Sequence, residues 1–134
     1  MTNLTIHKKY HVPFSSEQLY EAWISPKAVI PPVNRIEVEP KVDGFLKLMV
    51  EMPEGTSVMY GRFLSLTYPT QLVYTWEWDN NGEETQVAVD FKPTEDGTEI
   101  TVNHTGFQGE ASRATHDSGW DSYVAGITKL LSQQ

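Results

Sequence analysis

Apolar residues alternate with polar ones in some stretches of this chain and recur every third or fourth position in others, and the change of period divides it into elements. At the start, Leu4, Ile6, Tyr10 and Val12 fall on one side of an extended chain and Asn3, Thr5, His7, Lys9 and His11 on the other. That alternation predicts a half-buried strand. The run Phe14-Ser15-Ser16-Glu17-Gln18-Leu19 then carries the marks of a helix start: Ser15 as cap, Gln18 reaching back as the third residue of a capping box, Phe14 stapled onto Leu19. Leu19, Ala22 and Trp23 form its apolar stripe, and Ser25-Pro26 ends it, because the residue before a proline is pushed out of the helical region. Lys27 to Ile30 adds a second short helical turn before Pro31-Pro32 stops it.

From Asn34 to Thr105 the period is that of strands, punctuated by turn signals at Pro40 to Gly44, Pro53-Glu54-Gly55, Tyr68-Pro69-Thr70, Asp79-Asn80-Asn81-Gly82 and Thr94-Glu95-Asp96-Gly97. Six hairpin-connected strands are predicted. Leu72, Tyr74, Trp76 and Trp78 share one parity, and this aromatic row is expected to face inward with Val73, Thr75 and Glu77 outward. Val87, Val89 and Phe91 face in on the next strand, then Ile100, Val102 and His104 on the last. Residues 45 to 66 are apolar on both parities, so their facing stays open. Trp120, Tyr123, Val124, Ile127, Leu130 and Leu131 recur at helical spacing opposite Asp121, Ser122, Thr128 and Lys129, which predicts an amphipathic final helix starting anywhere from Gly109 to Ser118.

Composition narrows the class. With 134 residues, 39% of them hydrophobic, and with four Trp, six Tyr and five Phe, the chain can bury one sizeable core, so residues 1–134 are read as one domain. The absence of cysteine excludes disulfides and thiolate chemistry. A formal charge of −8 with scattered Lys and Arg repels phosphate backbones and anionic lipid heads, so neither nucleic acid nor membrane insertion is expected. No basic segment followed by an apolar run opens the chain, and no stretch approaches a membrane span, which gives a cytoplasmic protein as the expectation.

The residues carry a resemblance further. Val12-Pro13-Phe14 followed by Leu19-Tyr20-Glu21-Ala22-Trp23-Ile24-Ser25-Pro26 resembles the opening signature of the bacterial family named for activation of the heat-shock protein 90 ATPase. Tyr60-Gly61-Arg62-Phe63, the run from Pro69 to Trp78, Asp96 to Thr101, His104-Thr105-Gly106-Phe107 and His116-Asp117-Ser118-Gly119-Trp120 follow in the same order and cover nearly the whole chain. The sequence departs from that pattern at Asp43-Gly44, where relatives usually carry Gly-Gly, and at Ile30-Pro31-Pro32, where many carry a tryptophan. The resemblance implies an α+β helix-grip fold: a curved seven-stranded antiparallel sheet wrapped around a long C-terminal helix, with two short helices after strand 1 and a largely apolar cavity between sheet and helix. Steroidogenic lipid-transfer domains, the birch-pollen allergen group and polyketide cyclases share that architecture without sharing one function.

On this reading Tyr74, Trp76, Trp78, Val89, Phe91, Val102, His104, Trp120 and Tyr123 are the candidate cavity residues, since core and cavity wall are one surface in such a fold. His104 is the one strongly polar side chain on its strand's inner face; it either orients a ligand or satisfies a neighbouring carbonyl. His116-Asp117, read at the start of the last helix, would join His104 in any metal site, but HExxH spacing is absent and Asp117 also suits a helix cap, so neither metal nor cofactor is expected. Glu77, Asp90 and Glu99 fall on outer faces, and there is no GxSxG, GxxxxGKS or GxGxxG, which weighs against catalysis. The expectation is a binding protein for a small hydrophobic or amphipathic, lipid- or polyketide-like molecule. The alternatives are an interaction module in contact with a chaperone ATPase, as the family name suggests, and a cyclase-like enzyme. Pairing through a sheet edge would give at most a weak homodimer.

Overall fold

The structure, a computed structural model, describes residues 4–133. Asn3, assigned above to the polar side of the first strand, lies outside them. Strand β1 (Thr5–Val12) leads into helix α1 (Ser16–Trp23), followed by β2 (Arg35–Val38), β3 (Phe45–Met52), β4 (Gly55–Thr67), β5 (Gln71–Trp78), β6 (Thr85–Thr94), β7 (Gly97–Thr105) and helix α2 (Glu110–Ser132). All seven strands form one antiparallel sheet in the order β1-β7-β6-β5-β4-β3-β2. Only β1 breaks the run of hairpins. It crosses to pair with β7, so the chain's first and last strands lie side by side. This is the helix-grip architecture, with α2 held against the inner face of the curved sheet.

The α1 capping box forms as the sequence dictates: the Gln18 N–H donates to Ser15 Oγ at 3.1 Å and the Ser15 N–H donates to Gln18 Oε1 at 3.0 Å. Leu19, Tyr20 and Trp23 bury its inner stripe. The second short helix does not form. Residues 25–33 make tight turns instead, with the Ala28 N–H donating to the Ser25 carbonyl and the Val33 N–H to that of Ile30, because Pro31 disfavours the helical conformation at Ile30 and leaves too short a segment after Pro26 to close a helix.

The facing of residues 45–66 resolves through a bulge. Leu46, Met59 and Phe63 are buried on the inner side, while Phe45 and Tyr60 are exposed outside. Phe63 pairs with Tyr74 but Ser65 pairs with Val73, so β4 carries one extra residue and inverts its parity at that point. Gly61, just before it, is a close approach: a β-carbon there would lie 2.5 Å from the Thr75 carbonyl oxygen.

Helix α2 begins at Glu110, at the early end of the expected range, with Gly109 in the N-cap position and no side-chain cap. His116 and Asp117 therefore sit well inside the helix and Asp117 does not cap it. Asp121 is exposed, as expected of the polar side of the helix, but it is not free. It accepts from Tyr10 Oη at 2.8 Å and pairs with Lys8 Nζ at 2.7 Å, and Asp117 lies 3.4 Å from the same ammonium, fastening α2 to β1. At the other side Glu83, in the turn after β5, accepts from Ser112 Oγ and the Gln108 N–H, tying that turn to the start of α2.

Candidate functional site

Three neighbouring parts of the fold border a cavity of about 440 Å³ that opens to solvent. The sheet contributes Leu46, Leu48 and Val50 from β3, Ile36 from β2, and the alternating row Tyr74, Trp76 and Trp78 from β5. Helix α2 contributes Thr115, His116, Gly119, Trp120, Ser122 and Tyr123, and Trp23 with the turn segment from Ala28 to Val33 closes the remaining side. Among the described residues no Lys, Arg, Asp or Glu lines it.

The aromatic wall is packed edge to face and in stacks, the arrangements that ring quadrupoles favour. Trp23 stacks on Trp120 with centroids 6.0 Å apart and planes inclined by 17°, and Tyr123 meets Trp23 edge-on at 4.8 Å. Trp76 touches Trp120 at 5.7 Å, Trp78 at 6.0 Å and the His116 ring at 6.0 Å.

Polar atoms around this wall are tied down one by one. Trp23 Nε1–H donates to Tyr74 Oη at 3.1 Å. Trp120 Nε1–H donates to His104 Nδ1 at 3.1 Å, which requires the proton of that imidazole to sit on Nε2. From there it donates to Thr85 Oγ1 at 2.7 Å, and the Thr85 hydroxyl donates to the Trp76 carbonyl at 3.0 Å. Burial, and secondarily the neighbouring His116, brings His104 down to about 3, so the ring is neutral. Burial likewise pushes the Tyr74 and Tyr123 phenols above their ordinary value and keeps them protonated. One buried side-chain nitrogen among the described residues has no protein acceptor: Nε1 of Trp76.

Of the candidates drawn from the sequence, Tyr74, Trp76, Trp78, Trp120 and Tyr123 are brought together on the cavity wall. Val89, Phe91, Val102 and His104 are not; they are buried in the packed core, Phe91 against Tyr20 and Trp23, His104 beneath Trp76 and Trp120. The arrangement of His104, His116 and Asp117 does not make a ligand set. Both ring nitrogens of His104 are engaged, and Asp117 is turned to Lys8. Sequence reasoning missed Trp23, the turn from Ala28 to Val33, the β3 residues, and His116 with Gly119 as wall residues. His116, Gly119, Trp120 and Tyr123 stand at the helical spacing of one face, a signal that the primary structure does contain.

The family model described as Activator of Hsp90 ATPase homolog 1-like protein matches residues 13–132. Comparison with curated proteins finds no match. Among solved structures, protein MLL2253 from Mesorhizobium loti superposes with a TM-score of 0.83 at 18% identity, over 97% of this chain and 98% of that one. A Rhodobacter sphaeroides protein gives 0.81 at 23% identity, over 97% and 93%. Ara h 8.0201 gives 0.81 at 14% identity, over 97% and 98%. At such identities the likeness is one of fold.

Proposed function

The chain belongs to the Activator of Hsp90 ATPase homolog 1-like family, and from that membership together with its cavity we propose that it binds a small hydrophobic or amphipathic molecule between the sheet and α2. The observation that carries this reading is the recess of about 440 Å³ walled by tryptophan, tyrosine and aliphatic side chains. Its size lies within the roughly 300–1,000 Å³ typical of small-molecule sites, and its lining is apolar with few polar groups, as such sites are. A lipid- or polyketide-like compound with a flat apolar body suits a wall of edge-on and stacked rings.

Binding fits the site better than turnover. General acid–base chemistry needs a titratable group within reach of the substrate; among the described residues no carboxylate lines the cavity and the buried His104 has both nitrogens engaged, so the His116 imidazole would have to act without a carboxylate partner on the wall.

Native mass spectrometry of protein purified gently from its own source, followed by denaturing extraction, tests the proposal directly. One small molecule per chain is the expected result. A ligand at a hundredfold excess over its Kd adds about 2.7 kcal/mol to stability, enough for a clear thermal shift. An empty chain that also shows neither a thermal shift nor a tryptophan fluorescence change across a broad panel of lipids and polyphenols would remove the reading.

A further inference from the structure

Among the described residues the hydroxyl groups that line the recess are those of Tyr74, Thr115, Ser122 and Tyr123. Thr115 and Ser122 donate to the Ala111 and Ser118 carbonyls of their own helix, and Tyr74 Oη accepts from Trp23. Tyr123 Oη has no such partner. The one unpartnered side-chain nitrogen or oxygen that the protein seals off among these residues is Trp76 Nε1, so the Tyr123 hydroxyl keeps open surface on the recess that its side chain lines. The group is nonetheless set deep and held. Its ring meets two buried indoles edge-on, Trp23 at 4.8 Å and Trp120 at 5.8 Å. Burial, and after it the nearby Tyr74 phenol, raises the Tyr123 phenol above its ordinary value, so the group keeps its proton and is a hydrogen-bond donor. A donor fixed in direction and left without an acceptor on an apolar wall costs free energy that an oxygen of a guest recovers.

We propose that Tyr123 is the polar anchor of the binding site, and that the ligand is an uncharged, largely apolar compound whose carbonyl oxygen accepts a hydrogen bond from Tyr123 Oη–H. The inference rests on the binding reading above and narrows it. A carbonyl oxygen accepts and brings no hydrogen of its own. A ligand hydroxyl would bring one, and the groups packed around Tyr123 give it no acceptor: the Trp23 and Trp120 indoles are donors only, and Tyr74 Oη is taken by Trp23. An acid is disfavoured for a separate reason: among the described residues no Lys or Arg lines the recess, and an unpaired carboxylate is expensive to take out of water. The chain's net charge of −8 works in the same direction.

Three probes of one shape separate the contributions: β-acetylnaphthalene, β-isopropenylnaphthalene, which has a methylene in place of the carbonyl oxygen, and β-naphthoate. Their affinities are measured by equilibrium dialysis at neutral pH for the natural protein and for Y123F, which removes the oxygen and keeps the ring. In Y123F the affinity ratio of ketone to alkene should fall by about fivefold to tenfold, the size of one neutral hydrogen bond, while the alkene is unchanged. Naphthoate should bind at least about tenfold more weakly than the ketone. The infrared stretch of the bound carbonyl, marked by isotopic labelling, should lie at higher frequency in Y123F, where nothing donates to it. Y123F should also unfold at no lower temperature than the natural protein, since it loses no protein partner. If both neutral probes bind but their ratio and the carbonyl stretch are the same in the two proteins, if naphthoate binds as well as the ketone, or if Y123F is the less stable protein, this proposal is wrong and the apolar binding site stands. If none of the probes binds, both fall.

Discussion

His104 has no exposed surface, and its two nitrogens link Trp120 on α2 to Thr85 on β6 and through it to the Trp76 backbone. The link is sensitive to protons in a definite direction. In the unfolded chain this imidazole titrates near 6.5; in the folded chain it titrates at about 3. Above 6.5 both states are neutral and the stabilising contribution is complete; between 6.5 and 3 only the unfolded state takes up the proton, so stability falls as the pH falls. Going from neutral pH to about pH 5 should cost about 2 kcal/mol from this group alone. Urea unfolding at both pH values, compared with H104F, is the check: the variant should be less stable at neutral pH by about 1–3 kcal/mol, since it strands the Trp120 N–H, and should lack this share of the acid sensitivity. Equal acid sensitivity in both proteins would mean that His104 is protonated in the fold. The inward facing of His104 was legible in the alternation of β7. Its partner on α2 was not, because nothing local to the sequence says which helical turn will arrive over that strand.

Two glycines seven residues apart in α2 show how differently one face of an element can be used. A β-carbon at Gly126 would run into the Ile30 side chain, whereas one at Gly119, on the cavity wall, would meet nothing within 4 Å. Glycine inside a helix costs about 1 kcal/mol relative to alanine, so G119A should raise stability by up to that amount. G126A should lower it by about 1–3 kcal/mol, because Ile30 is branched and must be displaced bodily. Thermal or urea unfolding of the two variants reads the signs directly, and a gain at both positions would show that the turn from Ser25 to Val33 yields freely. G119L should leave the fold intact and narrow the cavity, with a matching loss of ligand affinity. At this scale much was legible: six strands, their turns and the final helix all follow from period and punctuation. Two failures have plain causes. The proline-rich turn from Ser25 to Val33 mimics a helix in composition but is cut short by Pro31, and the bulge between Phe63 and Ser65 switches parity inside a strand whose two faces are both apolar.

Seen whole, the molecule places its largest aromatic residues on a wall that the core and the cavity share. Tyr74, Trp76, Trp78, Trp120 and Tyr123 could thus be picked out as inward-facing, but which inward residues border empty space depends on the separation between α2 and the sheet, a property of no single element. Its two sheet edges are protected. The strand β2 has four residues and bears an Arg35–Glu37 pair at 2.7 Å, and β1 carries Lys8 and Lys9. Charged and short edges discourage pairing between copies, so light scattering at low micromolar concentration should give the mass of a single chain; twice that mass would locate an open edge. The stacked Trp23 and Trp120 rings, one on α1 and one on α2, have a further consequence in optics. Trp120 in turn neighbours Trp76, and Trp76 neighbours Trp78, so four indoles follow one another with centroids 5.7–6.0 Å apart and their electronic excitations couple along the row. The near-ultraviolet circular dichroism of this row therefore reports on the spacing of the whole wall, with no label attached.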